Sequence, residues 1–132
     1  MKNTFLKEER LCNKREIDSL FRTGSSFLVY PFRIVYQIKP ETAPLPKVLI
    51  SVSKKRMKRA VDRNKVKRKS REAYRQLKHI LTGDSAAENK DKHLCFALQY
   101  IANEDFSFAV FNKSIQKALK KLKNEMDKYT VE

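Results

Sequence analysis

Cysteine is scarce in this 132-residue chain, which has only Cys12 and Cys95, about eighty residues apart. Two such distant cysteines cannot build a disulfide scaffold and lack the spacing of a zinc finger, so we expect buried free thiols. The chain also has no apolar run near the roughly 18 residues of a membrane span, and its start, MKNTFLKEERL, lacks the apolar core of a secretory signal. These absences predict a cytoplasmic protein that does not bind a membrane.

Acidic residues are also few relative to basic ones. Fifteen Asp and Glu stand against thirty Lys and Arg, which gives a net charge of +15 and a pI near 10.0. A chain with this charge repels itself, which favours a polyanionic partner, and nucleic acid is the first candidate. Hydrophobic residues make up 41% of the chain, enough for one core, and we predict a single RNA-binding domain over residues 1–132.

The residues of a catalytic centre are missing as well. The sequence has no His-Glu metal helix, no nucleophile paired with a base, and no close carboxylate cluster of the kind that two-metal nucleases use. His93 and Cys95 could be imagined as metal ligands, but two ligands make an incomplete site and structural roles are favoured. We therefore predict no catalytic residue, no metal site and no bound cofactor in the protein itself.

The order of elements follows from apolar periodicity and from turn residues. Asn13 and Glu16 form a variant of the capping box before a first helix from Lys14 to Thr23, which Gly24 ends. Alternating apolar residues predict strands at PFRIVYQIK, KVLISVS and LCFALQYI, and the last is apolar on both faces, which indicates a central position. Two further helices are predicted, a basic one ending near Leu81 and a last one capped by Ser107.

The basic helix contains the most concentrated charge in the chain. Between Lys54 and Lys78 there are thirteen Lys or Arg and two acids, so 25 residues carry +11 of the total +15. A basic helix can serve solubility alone, but charge for that purpose would be spread along the chain. The clustering instead favours a phosphate-binding surface, because the arginine fork can donate two hydrogen bonds to one anion.

A helical wheel at about 100° per residue gives this helix two distinct faces. Val66, Ser70, Ala73 and Leu77 share one face, which can pack on a sheet. The opposite arc presents Asn64, Lys67, Arg68, Arg71, Arg75 and Lys78. The remaining arc, predicted to be ordinary solvated surface, holds Lys65, Lys69, Glu72 and Gln76. Asn64 is either a plain surface residue or a group that both donates to and accepts from a 2′-hydroxyl, a base edge or a water.

The segment SVSKKRMKRAVDRNKVKRKSREAYR resembles the bacterial ribonuclease P protein component, whose signature is Arg-Asn-x-x-Lys-Arg-x-x-Arg. Every signature position is matched, at Arg63, Asn64, Lys67, Arg68 and Arg71. The sequence DSLFRTG and the order of the elements extend the resemblance over essentially the whole chain. The family implies an α+β fold with a central sheet of about four strands and three helices, in the order α-β-β-β-α-β-α. It also implies a left-handed β-α-β crossover through the basic helix, against the usual right-handed preference.

The resemblance further implies a protein subunit that binds the catalytic RNA of ribonuclease P and the 5′ leader of precursor tRNA, and so assists removal of the leader. The protein alone is not expected to cleave, and divalent metal, as Mg²⁺, is expected for the RNA-catalysed reaction. We expect one protein monomer per catalytic RNA. A ribosomal or general RNA-binding protein and a nuclease in its own right are the alternatives.

Two sets of site residues follow from the resemblance. The expected RNA-binding set is Lys54, Lys55, Arg63, Asn64, Lys67, Arg68 and Arg71, with Arg75 added from the same helical arc. The expected leader cleft comprises Phe21, Arg33, Val35 and Gln37. Val35 stands where the family can have Tyr, so we expect Arg33 and Gln37, which share its strand face, to compensate by hydrogen bonding.

Overall fold

A computed structural model describes residues 14–40, 46–82 and 93–128. Cys12 and the expected capping residue Asn13 lie outside these ranges. The described residues form eight elements, namely α1 (Lys14–Thr23), β1 (Ser25–Val29), β2 (Phe32–Lys39), β3 (Lys47–Val52), α2 (Ala60–Leu77), α3 (His79–Thr82), β4 (His93–Tyr100) and α4 (Phe108–Lys128).

The four strands form one mixed sheet in the order β1-β2-β4-β3. β2 pairs antiparallel with β1 and β4, whereas β3 and β4 are parallel neighbours joined through α2. β4 is central, as its apolar sequence predicts, and its residues from His93 to Leu98 are all buried. The α+β class and the order of strands and main helices are confirmed; the left-handed sense of the crossover stays a prediction.

The basic helix ends earlier than expected. α2 stops at Leu77, and Lys78 then begins a new turn in which its carbonyl accepts a hydrogen bond from the N–H of Leu81 at 3.0 Å. The extra turn is the short α3, so the described part of the chain has four helices where three were expected. The change of path takes Leu81 into the core, where it is fully buried, and that burial favours the break.

One face of the sheet carries α2 and α4 over the larger core. Tyr74 of α2 packs edge-on against Phe96 of β4 with ring centres 5.8 Å apart. Phe111 of α4 contacts Phe32 and stacks on Tyr100, with ring centres at 5.7 Å and 5.2 Å. Aromatic pairs at these separations contribute about 0.5–1.5 kcal/mol beyond their burial, so they fix both helices on the same face.

The other face carries α1 over a smaller core. Leu20 packs there with Val35, Cys95 and Ala97, and Ile17 and Leu49 border the cluster. The thiol of Cys95 is buried, as expected. α1 therefore covers one part of this face and leaves the rest of it open.

Gly24 joins α1 to β1 where two backbone segments approach closely. A Cβ at this position would lie 2.4 Å from the carbonyl oxygen of Leu20 and 2.8 Å from that of Tyr36. Both atoms belong to the backbone and cannot move aside cheaply, so only glycine fits. Gly24 thus ends the helix and lets β1 start beside β2.

β1 carries no clear apolar alternation, and none of the three strands predicted from periodicity covers it. It is an edge strand in which Leu28 is 67% exposed. Its strand conformation comes from pairing with β2, for example Phe27 with Ile34. Among the described residues, no helix has the length and apolar character to cross a bilayer.

Candidate nucleic-acid interface

The two predicted faces of α2 are present in the structure. Val66, Ser70 and Ala73 are buried against the sheet, and the hydroxyl of Ser70 donates to the carbonyl of Val66 at 2.8 Å, which satisfies that buried polar group. Tyr74, which the wheel did not assign to the core, is buried beside them. The opposite arc is open to solvent, so α2 presents its cations on a packed and rigid support.

The exposed part of this arc is a continuous basic surface. Asn64, Arg68 and Arg71 are exposed and Lys67 is half-buried. Within residues 14–40, 46–82 and 93–128, none of these three cations forms an ion pair. Unpaired arginines on one helical face suit phosphate oxygens, since each planar fork can engage one anion by two hydrogen bonds. We call Asn64, Lys67, Arg68 and Arg71 the α2 basic face.

Arg63 has a structural role that the sequence did not indicate. Its Nη1 donates to the carbonyl oxygens of Met57 and Lys58 at 2.9 Å and 2.8 Å. Met57 is itself buried in the core. Arg63 therefore ties the segment before α2 to the helix. Lys54 and Lys55, which precede Met57 in this segment, are exposed.

Arg75 is engaged by an acid on its own helix. Its guanidinium forms a two-point ion pair with Glu72, whose carboxylate also accepts from Gln76 at 3.0 Å. The hydrogen bond from Arg75, followed by the smaller effect of the one from Gln76, lowers the pKa of Glu72. The hydrogen bond with Glu72 raises the pKa of Arg75. Arg75 is thus a weaker phosphate ligand than Arg68 or Arg71, because its guanidinium already donates hydrogen bonds to Glu72.

The assignment of Lys69 to the solvated arc is wrong. Its ammonium donates to both carboxylate oxygens of Asp105, at 2.9 Å and 3.0 Å, and to the carbonyl of Phe106 at 2.9 Å. It also lies 5.5 Å from the ring centre of Phe111. Lys69 therefore joins α2 to the loop before α4 and is not available to a ligand. The helical wheel gave the direction of Lys69 from the helix axis, but Asp105, 36 positions away in the sequence, covers that part of the helix surface.

A second candidate surface lies beside α1 on the smaller-core face of the sheet. The strand register places Leu28, Arg33, Gln99 and Ser51 in one row across the four strands. Arg33 donates to the side-chain oxygen of Gln99 at 3.1 Å, and both side chains remain at least partly exposed. α1 does not cover this row, which we call the open row. Gln99 could have been found from the sequence, because it is the one amide in an otherwise apolar strand.

Phe21 faces the open row. Leu20 points at the sheet, and Glu16 and Thr23 lie on one flank of α1, where they contact Lys47 and Gln37 respectively. At about 100° per residue, Phe21 falls on the opposite flank, toward the row of Arg33. Its side chain is 39% exposed. Phe21 and the open row therefore border the same part of this face, with an aromatic ring beside the polar side chains of Arg33 and Gln99; we call this part the cleft.

The structure does not bring all four expected cleft residues together. Val35 is 3% exposed and lies beneath Leu20, so its side chain does not reach the cleft surface. Gln37 lies under the other flank of α1, where its Nε2 donates to the hydroxyl of Thr23 at 3.0 Å. Its Oε1 is buried without a hydrogen-bond partner among the described residues. Alternation along β2 put the three residues on one face, but the position of α1 separates them.

Gln37 instead borders a pocket of about 370 Å³ at the ends of α1 and α4. Tyr36, Glu125 and Lys128 also line this pocket. Burial and the Glu125 carboxylate raise the pKa of Tyr36, against a hydrogen bond from Ser25 that lowers it. The pocket is thus a polar recess, distinct from the cleft of Phe21 and Arg33.

His93 and Cys95 are adjacent and buried at the start of β4. The Cys95 sulfur lies 3.9 Å from Nδ1 of His93. In the described part of the chain, no group of three or more His, Cys, Asp or Glu side chains gathers where a metal ion could be held.

Comparison with known proteins assigns the family. The sequence profile of the family described as Ribonuclease P matches residues 5–123. The chain belongs to the ribonuclease P protein family. A relative from Porphyromonas gingivalis, named ribonuclease P protein component, is 40% identical over 114 residues, which span 86% of this chain and 82% of the relative. A relative of the same name from Chlorobaculum tepidum is 34% identical and covers 91% and 83% of the two chains.

Solved structures of ribonuclease P proteins share the fold. The Staphylococcus aureus protein matches with a TM-score of 0.65 at 24% identity over 87% of this chain and 95% of that one. The Thermotoga maritima protein matches with a TM-score of 0.63 at 22% identity over 86% and 96%. The ribonuclease P fold predicted from the motif around Arg63 is therefore confirmed.

Proposed function

We propose that this chain is the protein component of a bacterial ribonuclease P holoenzyme, in which it binds the catalytic RNA and assists removal of the 5′ leader from precursor tRNA. The observation that carries the proposal is the α2 basic face, an exposed set of unpaired cations with Asn64 among them, on a helix whose other side is locked to the sheet. It occurs in a chain that belongs to the ribonuclease P protein family.

The α2 basic face serves as the docking surface for the catalytic RNA. Arg68 and Arg71 donate paired hydrogen bonds to phosphates, and Lys67 contributes a point charge. Lys54 and Lys55 extend the surface because Arg63 holds their segment against the helix. Asn64 adds a group that can both donate and accept, which suits a 2′-hydroxyl or a base edge.

The cleft between Phe21 and the open row receives the single-stranded leader. An exposed aromatic ring can stack on a base of any sequence, worth about 1–3 kcal/mol per base. Arg33 and Gln99 lie in the cleft and supply donors and an acceptor for a phosphate or a base edge. Duplex RNA cannot use a stacking ring in this way because its bases are paired inside the helix.

The catalytic step belongs to the RNA on this proposal. The protein positions the leader and neutralises phosphates where two polyanions meet, and divalent metal, as Mg²⁺, acts with the RNA. One protein monomer per catalytic RNA, acting in the cytoplasm, completes the proposal.

Reconstitution tests the proposal against its alternatives. Precursor tRNA is incubated with Mg²⁺ and with the protein alone, the catalytic RNA alone, or both. A protein component raises cleavage by the RNA and cleaves nothing by itself. Cleavage by the protein alone would identify a nuclease, and RNA binding without any effect on cleavage would identify a general RNA-binding protein.

A further inference from the structure

A second row of cations lies on α4, outside the surfaces assigned above. α4 buries Phe111, Ile115, Ala118, Leu119 and Leu122 against the sheet and α2. On its opposite side five lysines are exposed and fall within an arc of about 100°, namely Lys113, Lys117, Lys120, Lys121 and Lys128. At about 1.5 Å per residue the row is about 22 Å long. We call these five residues the α4 lysine row.

Acids do not neutralise the centre of this row. Within the described ranges, Lys113, Lys117 and Lys120 form no ion pair. Lys121 lies 4.6 Å over the ring centre of Phe27, which holds its stem against β1. The nearby Asp127 is 3.5 Å from Lys123, outside the row. Glu125 lies one helical turn from both Lys121 and Lys128 and lines a pocket with Lys128, so the uncompensated positive charge extends from Lys113 to Lys120.

The row and the α2 basic face belong to the same layer of the molecule. Both helices pack on one face of the sheet through a shared core, and their exposed arcs point away from it. Packed helices lie about 8–10 Å apart, so the outer surface of this layer carries two separate lines of positive charge.

We propose that the α4 lysine row binds the phosphate backbone of double-stranded RNA. The five cations are all lysines, which act as point charges and do not read bases. Among the described residues, the ring nearest to the row is Phe27, whose face is already occupied by the Lys121 ammonium, in contrast to the exposed ring of Phe21. A duplex presents regularly spaced phosphates with its bases hidden, which is the target that such a row fits. The inference goes beyond the proposed function, because it needs neither the leader cleft nor the α2 basic face.

The test compares two variants with the same loss of charge. The row variant is Lys117→Ala with Lys120→Ala, and the control is Lys14→Ala with Lys39→Ala, on α1 and β2. Affinity for a blunt 20-base-pair RNA duplex is measured by fluorescence anisotropy between about 0.05 and 0.3 M salt. Two lost phosphate contacts should reduce the slope of log affinity against log salt by about 1.4 to 1.8, at 0.7–0.9 per phosphate. The affinity at 0.1 M salt should fall about tenfold or more.

Further measurements test whether the effect depends on positive charge at these positions and on duplex RNA as the ligand. Replacement of both row lysines by arginine should retain the slope, since it retains the charge. Alanine at these exposed helical sites should leave the melting temperature unchanged. Equal losses in the row and control variants would overturn the proposal, as would an equal loss for a single-stranded RNA of the same length. If the row variant lost binding to phosphatidylglycerol vesicles but kept its affinity for the duplex, the row would be a membrane-binding surface and the proposal would also be overturned. Failure of leader cleavage in reconstitution, with duplex binding still dependent on the row, would count only against the proposed function.

Discussion

Arg68 and Lys69 are adjacent in the sequence and carry the same charge, but their replacement by alanine is expected to affect different properties, RNA binding for Arg68 and stability of the fold for Lys69. Arg68 is exposed on the α2 basic face, whereas Lys69 bridges α2 to Asp105 and Phe106. Arg68→Ala should therefore weaken RNA binding and spare the fold. Lys69→Ala should weaken the fold and largely spare RNA binding.

The cost of Lys69→Ala follows from its contacts. The ammonium donates to three oxygens of Asp105 and Phe106 at 2.9–3.0 Å and lies near the ring of Phe111. Because the Lys69 and Asp105 side chains are each about one-third exposed, water screens the ion pair and its contribution must be discounted. Allowing about 0.5–1 kcal/mol for the ion pair and a similar amount for the carbonyl and ring contacts gives a loss of about 1–2 kcal/mol. For a domain of this size, that shifts the melting temperature by roughly 3–8 °C.

Two measurements separate the variants. Urea unfolding gives the free energy of unfolding, and binding to the catalytic RNA as a function of salt gives the affinity and its slope. Arg68→Ala should reduce the slope by about 0.7–0.9 with the urea midpoint unchanged. A double-mutant cycle with Asp105→Ala should show that Lys69 and Asp105 are coupled. If Lys69→Ala instead lowered RNA affinity as much as Arg68→Ala and left the urea midpoint unchanged, the structural role of Lys69 would be refuted.

Three further predictions concern the cleft, the α1–β1 junction and the core. Phe21→Ala should weaken holoenzyme binding of precursor tRNA by about 1–3 kcal/mol and leave mature tRNA binding unchanged; equal loss for both RNAs, together with a lower melting temperature, would place its ring in the core. Gly24→Ala should cost at least about 2 kcal/mol in urea unfolding, since its Cβ would meet two backbone oxygens at 2.4 Å and 2.8 Å, and an unchanged midpoint would contradict that geometry. Burial raises the pKa of Tyr100 from 10.0 to about 12, so the stability associated with its neutral phenol is complete below pH 10 and is lost as pH rises toward 12. Urea unfolding at pH 9 and 11 should therefore show a smaller alkaline loss in Tyr100→Phe than in the parent, and equal losses would exclude this contribution.

Local periodicity determined several features of this protein from the sequence alone. Helix geometry repeats every 3.6 residues whatever the partner, so the pattern around Val66 and Ala73 separated the buried face of α2 from the arc of Arg68 and Arg71. The capping pattern of Asn13 and Glu16, together with Gly24, gave the bounds of α1. The largely apolar sequence of β4 indicated its central position, since a strand covered on both faces carries few exposed polar side chains.

Tertiary structure decided which of the exposed residues are available to a ligand. Lys69 and Arg71 lie on different arcs of the wheel that were both predicted to face solvent, but the loop carrying Asp105 covers only Lys69. Arg33 and Gln37 alternate onto one strand face, yet α1 lies over Gln37 and leaves Arg33 open. The edge strand β1 forms only because β2 is beside it. Each outcome depends on a contact between segments distant in sequence, and periodicity within one segment carries no information about which other segment will reach it.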